Sequence, residues 1–186
     1  TEGDATLVMR KWWEKYASPQ DWIDIFNYVP PQQTLPQQFP PPYVIRDSEF
    51  PYVEGLAFVE FLHNRGNWAE VDKAYARPPD STEQILHPDK YVRAEEPVAV
   101  AGPALGDALG SGWRLLVSNT LGEWTTYLVL GVGADVDARM EDSKAQSAAR
   151  GWGGDNYQVY FNDTTGQTVM AVHWVWDTTA DSEEFY

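Results

Sequence analysis

The chain has 186 residues, 43% of them hydrophobic, with nine Trp, ten Tyr and a formal charge of −15 at pH 7. That size and apolar content fit one globular domain, or one domain with a small appendage, and the charge argues against nucleic acid or an anionic membrane surface as the main partner. Zero cysteines exclude disulfides, thiol catalysis and cysteine-zinc clusters, and no apolar run is long enough to span a bilayer.

In chain order, the first predicted element is a helix. Residues Thr1 to Thr6 read Thr-Glu-Gly-Asp-Ala-Thr and run, without leader or cap, into a stretch where Ala5, Val8, Trp12 and Tyr16 recur on one face, widened by Met9 and Trp13. A preceding segment outside this chain is therefore expected. Ser18-Pro19-Gln20-Asp21 opens a second helix, with a capping Ser, Pro in the first turn and an acid at the positive dipole end. Trp22, Ile23 and Phe26 form its apolar face. From Pro30 to Pro51 the chain holds seven of its thirteen prolines, which predicts an extended, polyproline-like insertion. Phe39, Tyr43 and Phe50 suit that stretch either to an aromatic-lined peptide or protein partner or to wrapping its own domain. Tyr52 to Asn64 reads as a third helix stopping at Gly66, and Asn67-Trp68-Ala69-Glu70 as the capping box of a fourth. Ser81-Thr82-Glu83-Gln84 starts a short helix that ends at His87-Pro88.

Residues 1–93 are thus a helical region carrying the Pro-rich insertion 30–51. Residues 94–112, rich in Ala, Gly and Pro, read as a linker or wrapping loop. Residues 113–186 read as a small α+β unit. Trp113 to Val117 is a strand, Thr120-Leu121-Gly122-Glu123 caps a helix, and Asp137 to Arg150 is a polar, Ala-rich surface helix. Tyr157, Val159 and Phe161 alternate with polar neighbours, and the turn Asp163-Thr164-Thr165-Gly166 joins them to a partner strand over Thr168 to Trp176. Asp177 or Thr178 caps a last helix. The expected fold is α+β: a helical N-terminal half, then a small antiparallel sheet with packed helices.

Chemistry-bearing residues are sparse. Glu2 and Asp4 are either two acids favouring a helix N-terminus or part of a metal site. No two His share ligand spacing, so a metal site from this chain alone is not expected. Further motifs carry a resemblance: Glu2-Gly3-Asp4-Ala5, the run Phe50 to Val59, Arg65-Gly66-Asn67-Trp68, the run Ser81 to Tyr91, Gly151-Trp152-Gly153-Gly154-Asp155 and Trp176-Asp177-Thr178. In this order they resemble an uncharacterised bacterial family, secreted or lipid-anchored, that looks like gluzincin-type zinc metallopeptidases. In that family an HExxH helix precedes Glu-Gly-Asp-Ala, and no HExxH occurs in this sequence.

The resemblance implies a zinc cofactor only with the upstream segment, Glu2 as a zinc ligand and Asp4 as the residue orienting a ligating His. It implies an extracellular or cell-surface protein whose missing N-terminal segment is its first partner. His87 and Tyr91 suit oxyanion stabilisation, or His87 packs between short helices and bonds a backbone carbonyl. His63 and His173 read as structural. The expected function is the C-terminal portion of a secreted zinc metallopeptidase-like protein, inactive as this chain alone. The alternative is a non-catalytic extracellular protein serving structure, binding or assembly.

Overall fold

A computed structural model describes residues 1–29 and 39–186. They form two compact units, Thr1–Pro78 and Pro79–Tyr186. The α+β class is as expected: the first unit is helical, and the second is built on a three-stranded antiparallel sheet.

The first unit contains α1 (Glu2–Tyr16), α2 (Pro19–Phe26) and α3 (Pro42–Ala76). Ser18 caps α2 through a reciprocal box with Asp21, as the sequence predicts. Helix α3 breaks at Gly66 and Asn67, the expected boundary, and Asn67 makes the break at φ 56°. Its start differs from expectation. Helix begins at Pro42, so residues 42–51 are not extended. Pro41 holds the extended φ/ψ of a cap residue, and Pro42 occupies the first turn, where a missing N–H costs nothing. Residues 30–38 of the Pro-rich stretch lie outside the described residues, but the three aromatics expected to suit it to a partner do not: Tyr43 and Phe50 sit on α3 rather than on an extended segment, and Phe39 precedes that helix, 72% exposed.

Helix α1 packs on α3 through a glycine crossing. Gly3 is buried, and a Cβ built there would run into the Gly55 carbonyl carbon and oxygen. Leu7, 1% exposed, follows one turn later, and Arg10 pairs with Glu60. With Leu7, the residues Phe58, Val59, Leu62 and Val71 form this unit's core. This geometry turns the Val8, Trp12 and Tyr16 face outward, where all three are about half exposed or more.

The second unit runs α4 (Thr82–Leu86), α5 (Pro88–Arg93), α6 (Gly106–Leu109), β1 (Trp113–Asn119), α7 (Gly122–Gly131), α8 (Asp142–Ala149), β2 (Trp152–Asn162), β3 (Thr168–Trp176) and α9 (Thr179–Phe185). The sheet order is β1-β2-β3. Asn162 shapes the β2–β3 turn by accepting from the Thr164 and Thr165 amides, and Gly166 supplies the positive φ. Register pairs Asp155 with Trp174 and Asn156 with His173, so these pairs point to opposite faces. Helix α7 meets the Asp155 face, where the Trp174 indole donates to Thr126.

The segment 94–105 crosses the other face. Ala104 N donates to Gln158, Leu105 N to the Tyr160 hydroxyl, and Val98 N to the Gly153 carbonyl. Of the expected linker 94–112, residues 94–105 thus wrap over the sheet, while Gly106–Leu109 form α6. Helix α8 is shorter than expected and is no mere surface helix, since Ala145, Ala148 and Ala149 are buried. Small side chains let α8 approach Gly131 of α7, where an added Cβ would sit 2.9 Å from Ala145 Cβ.

The crossing at Gly3 predicts a position-specific cost. Gly3→Ala should destabilise the first unit by about 1–3 kcal/mol, the range for overpacking. Gly106→Ala, where an added Cβ meets nothing within 4 Å, should be neutral. Urea denaturation followed by circular dichroism compares the two, and equal midpoints would refute the crossing.

Candidate functional site

The expected metal residues lie in the first turn of α1. Glu2 is exposed, and its carboxylate accepts from the Thr1 hydroxyl at 2.6 Å, which holds its pKa below the usual carboxylate value. Asp4 is half-buried and accepts from the Tyr75 hydroxyl at 2.6 Å. That bond, with burial and the Asp4 charge behind it, raises the Tyr75 pKa. The Gly3–Gly55 contact fixes the backbone between the two acids. Among the described residues, no group of three or more His, Asp or Glu is placed to hold a metal ion. The residues present fit one carboxylate ligand of a zinc site, not a complete coordination sphere.

His87 and Tyr91 belong to the second unit. His87 ends α4 and precedes Pro88, the first residue of α5. Its Nε2 lies 2.8 Å from Glu123 Oε1, so its partner is a carboxylate rather than a backbone carbonyl. This hydrogen bond raises the His87 pKa against the opposing effect of burial. Tyr91 is buried one turn further on, 6% exposed. His63 meets the Trp68 ring edge-on at 4.9 Å, and His173 Nδ1 lies 3.4 Å from the Ala101 carbonyl oxygen.

Around His87 stands a cluster that pattern reading does not reveal. Lys90 meets Glu83 at 2.7 Å, Glu95 at 2.9 Å, and Asp177. Glu83 is 2% exposed, and burial pushes its carboxyl up to about 7 in spite of Lys90. Burial opposes the Lys90 charge as well, but Asp177, Glu83 and Glu95 outweigh it and raise the Lys90 pKa. Glu123 is also buried, and its Oε2 has no hydrogen-bond partner among the described residues. The cluster joins α4, α5, α7 and the ends of the wrapping loop and β3. Its hydrogen bonds reach across up to 87 positions, and this is why local motifs miss them. One signal was available: Glu83 lies inside a capping sequence, yet Ser81 Oγ accepts from Gln84 N, leaving Glu83 free to turn inward.

Asp155 has a structural assignment. Its carboxylate accepts from Leu121 N at 2.7 Å, Gly122 N at 2.8 Å and the Trp152 indole N–H at 2.8 Å. It therefore caps α7 from the sheet, in place of the local cap expected at Thr120. Gly122 has φ 78°, and an added Cβ would lie 2.7 Å from Thr82 Oγ1. Asp163 accepts from the Arg114 guanidinium through both carboxylate oxygens. Thr178 caps α9 through a reciprocal box with Asp181, which leaves Asp177 to Lys90. No helix among the described residues is long and apolar enough to cross a membrane.

A family model described as a domain of unknown function (DUF8575) matches residues 114–186. The match takes in Glu123, Asp155 and Asp177 but stops short of Glu83, His87 and Lys90. No curated protein and no solved structure matches the chain.

Two outcomes follow from this geometry. Asp155→Ala strips three donors of their acceptor inside the fold and should cost at least about 3 kcal/mol. Guanidinium unfolding followed by tryptophan fluorescence measures the loss. The second concerns pH. Glu83 and His87 both have raised folded pKa values, so their stabilising contributions are full below their unfolded values and fade as pH rises through the folded ones. Stability should therefore fall between about pH 5 and pH 8. Glu83→Gln should flatten part of that fall, and a melting profile with an unchanged slope would show that Glu83 does not titrate in this window.

Proposed function

We propose that this chain is the C-terminal portion of a secreted zinc metallopeptidase-like protein in which Glu2 supplies the carboxylate ligand. The supporting observation is the first turn of α1. Glu2 is exposed, and the side-chain partner it has among the described residues is the adjacent Thr1, while the next residue is locked against Gly55. Its carboxylate thus has a fixed root and an accessible end. Asp4, two residues on, is held by the Tyr75 hydroxyl, and in this reading it would orient a ligating imidazole by accepting from its ring N–H. The two histidines and the general-base Glu belong to an HExxH helix outside this chain, as the resemblance implies. Zinc bound there would polarise a peptide carbonyl and activate water. This chain's contribution is to place one negative ligand and its orienting neighbour on a rigid helix. The chain alone is inactive in this reading, and its compartment is extracellular.

A non-catalytic role in binding or assembly is the second reading, favoured by the exposed aromatic face of α1. The intact natural protein distinguishes them. Elemental analysis should find about one zinc per molecule. Glu2→Gln in that protein should weaken zinc binding at least about 100-fold and abolish peptide hydrolysis, with circular dichroism unchanged. An intact protein without stoichiometric zinc leaves the non-catalytic reading.

A further inference from the structure

Helix α2 has eight residues, none of them buried. Helices this short are marginal in water and owe their stability to packing an apolar face. The apolar face of α2 exists but is barely used. Trp22 touches Trp13 of α1, with ring centroids 5.4 Å apart, while Trp22 and Ile23 stay half exposed and Phe26 is 90% exposed. The face continues onto α1, where Trp12 packs on Tyr16 at 5.9 Å and both remain more than half exposed.

With ordinary side-chain surfaces, these five residues leave roughly 600 Å² of mostly apolar area in water. That is the upper end of what a monomer shows in one patch, and with a polar rim it approaches the ~800 Å² each partner gives to a stable complex. The charges indicate what covers it. Residues 1–29 hold five acids and three bases, so most of the chain's −15 lies elsewhere and does not concentrate repulsion here. Helix α2 carries Asp21 and Asp24 and no base, while the second half of α1 carries Arg10, Lys11 and Lys15 against one acid, Glu14. A two-fold contact makes one patch meet itself, which sets the acidic α2 of one copy beside the basic end of α1 in the other. An anionic lipid surface would instead meet the α2 acids unpaired.

We infer that the α1–α2 aromatic face is the contact through which two copies of this chain associate. The inference is independent of the zinc reading, since it uses neither Glu2 nor Asp4. Sedimentation equilibrium of the 186-residue chain, up to about 300 µM, should show a dimer with micromolar dissociation constant. The double change Trp22→Glu with Phe26→Glu should weaken association at least 100-fold with helix content retained. Val129→Glu, at a 60% exposed position in the second unit, should leave it intact. A wild-type chain that stays monomeric throughout, a dimer that survives the double change, or binding to neutral lipid vesicles in place of dimerisation overturns the inference.

Discussion

The Asp155 carboxylate holds the second unit in register. One buried side chain on β2, 3% exposed, satisfies two amides at the start of α7 and the buried indole of Trp152. A helix N-terminus presents donors that nothing in the helix can satisfy, and it carries partial positive charge. Gly122, at positive φ, brings those donors together without a local cap. Once α7 is anchored this way, the positions of Glu123, Thr126 and Tyr127 follow. Glu123 then faces His87, Thr126 receives the Trp174 indole, and Tyr127 reaches Asp142 of α8. Removing the anchor unsettles each of these contacts.

The ionic cluster beside α7 is a second layer built on the first. Burying charge is expensive unless the charges are paired, and a lysine among three carboxylates is well paired. Glu83 pays for its burial with a raised pKa, and one Glu123 oxygen has no hydrogen-bond partner among the described residues. Such clusters specify an arrangement more than they add stability. Here the arrangement ties α4 and α5 to the strand end at Asp177 and to Glu95 at the start of the wrapping loop. His87, the histidine best placed in the sequence for chemistry, is absorbed into this structure through Glu123.

In the first unit a glycine plays the organising part. Close approach of Gly3 to Gly55 decides which face of α1 points inward. That face carries Gly3, Leu7 and Arg10, not the wider aromatic stripe. The stripe is left exposed, as is Glu2 in the first turn. The zinc proposal and the dimer proposal thus arise from one packing choice, although they use different residues.

Much of the local structure was legible in sequence. Capping residues at Ser18, Ser81 and Thr178 and the break at Gly66–Asn67 appear where local chemistry predicts them, because caps and turns act over a few residues. The strand over Tyr157 to Phe161 is present, but its expected inward residues Tyr157, Val159 and Phe161 are half-buried while Tyr160 and Asn162, expected outward, are buried, because the wrapping loop covers that face. The proline triplet misled: the same residue that favours extended backbone also suits a helix's first turn. The partners of Asp155, Lys90 and His87 were not legible, since they come from segments tens of positions away. Nor was the buried face of α1, because hydrophobic periodicity finds the most apolar side while close helix packing selects the smallest. The sequence by itself determined most of the helices and strands through local caps, turns and periodicity, but not the start of α3, nor the short helices α5 and α6. Tertiary structure decided which faces are covered and which charges meet, for those depend on long-range contacts that no local pattern encodes.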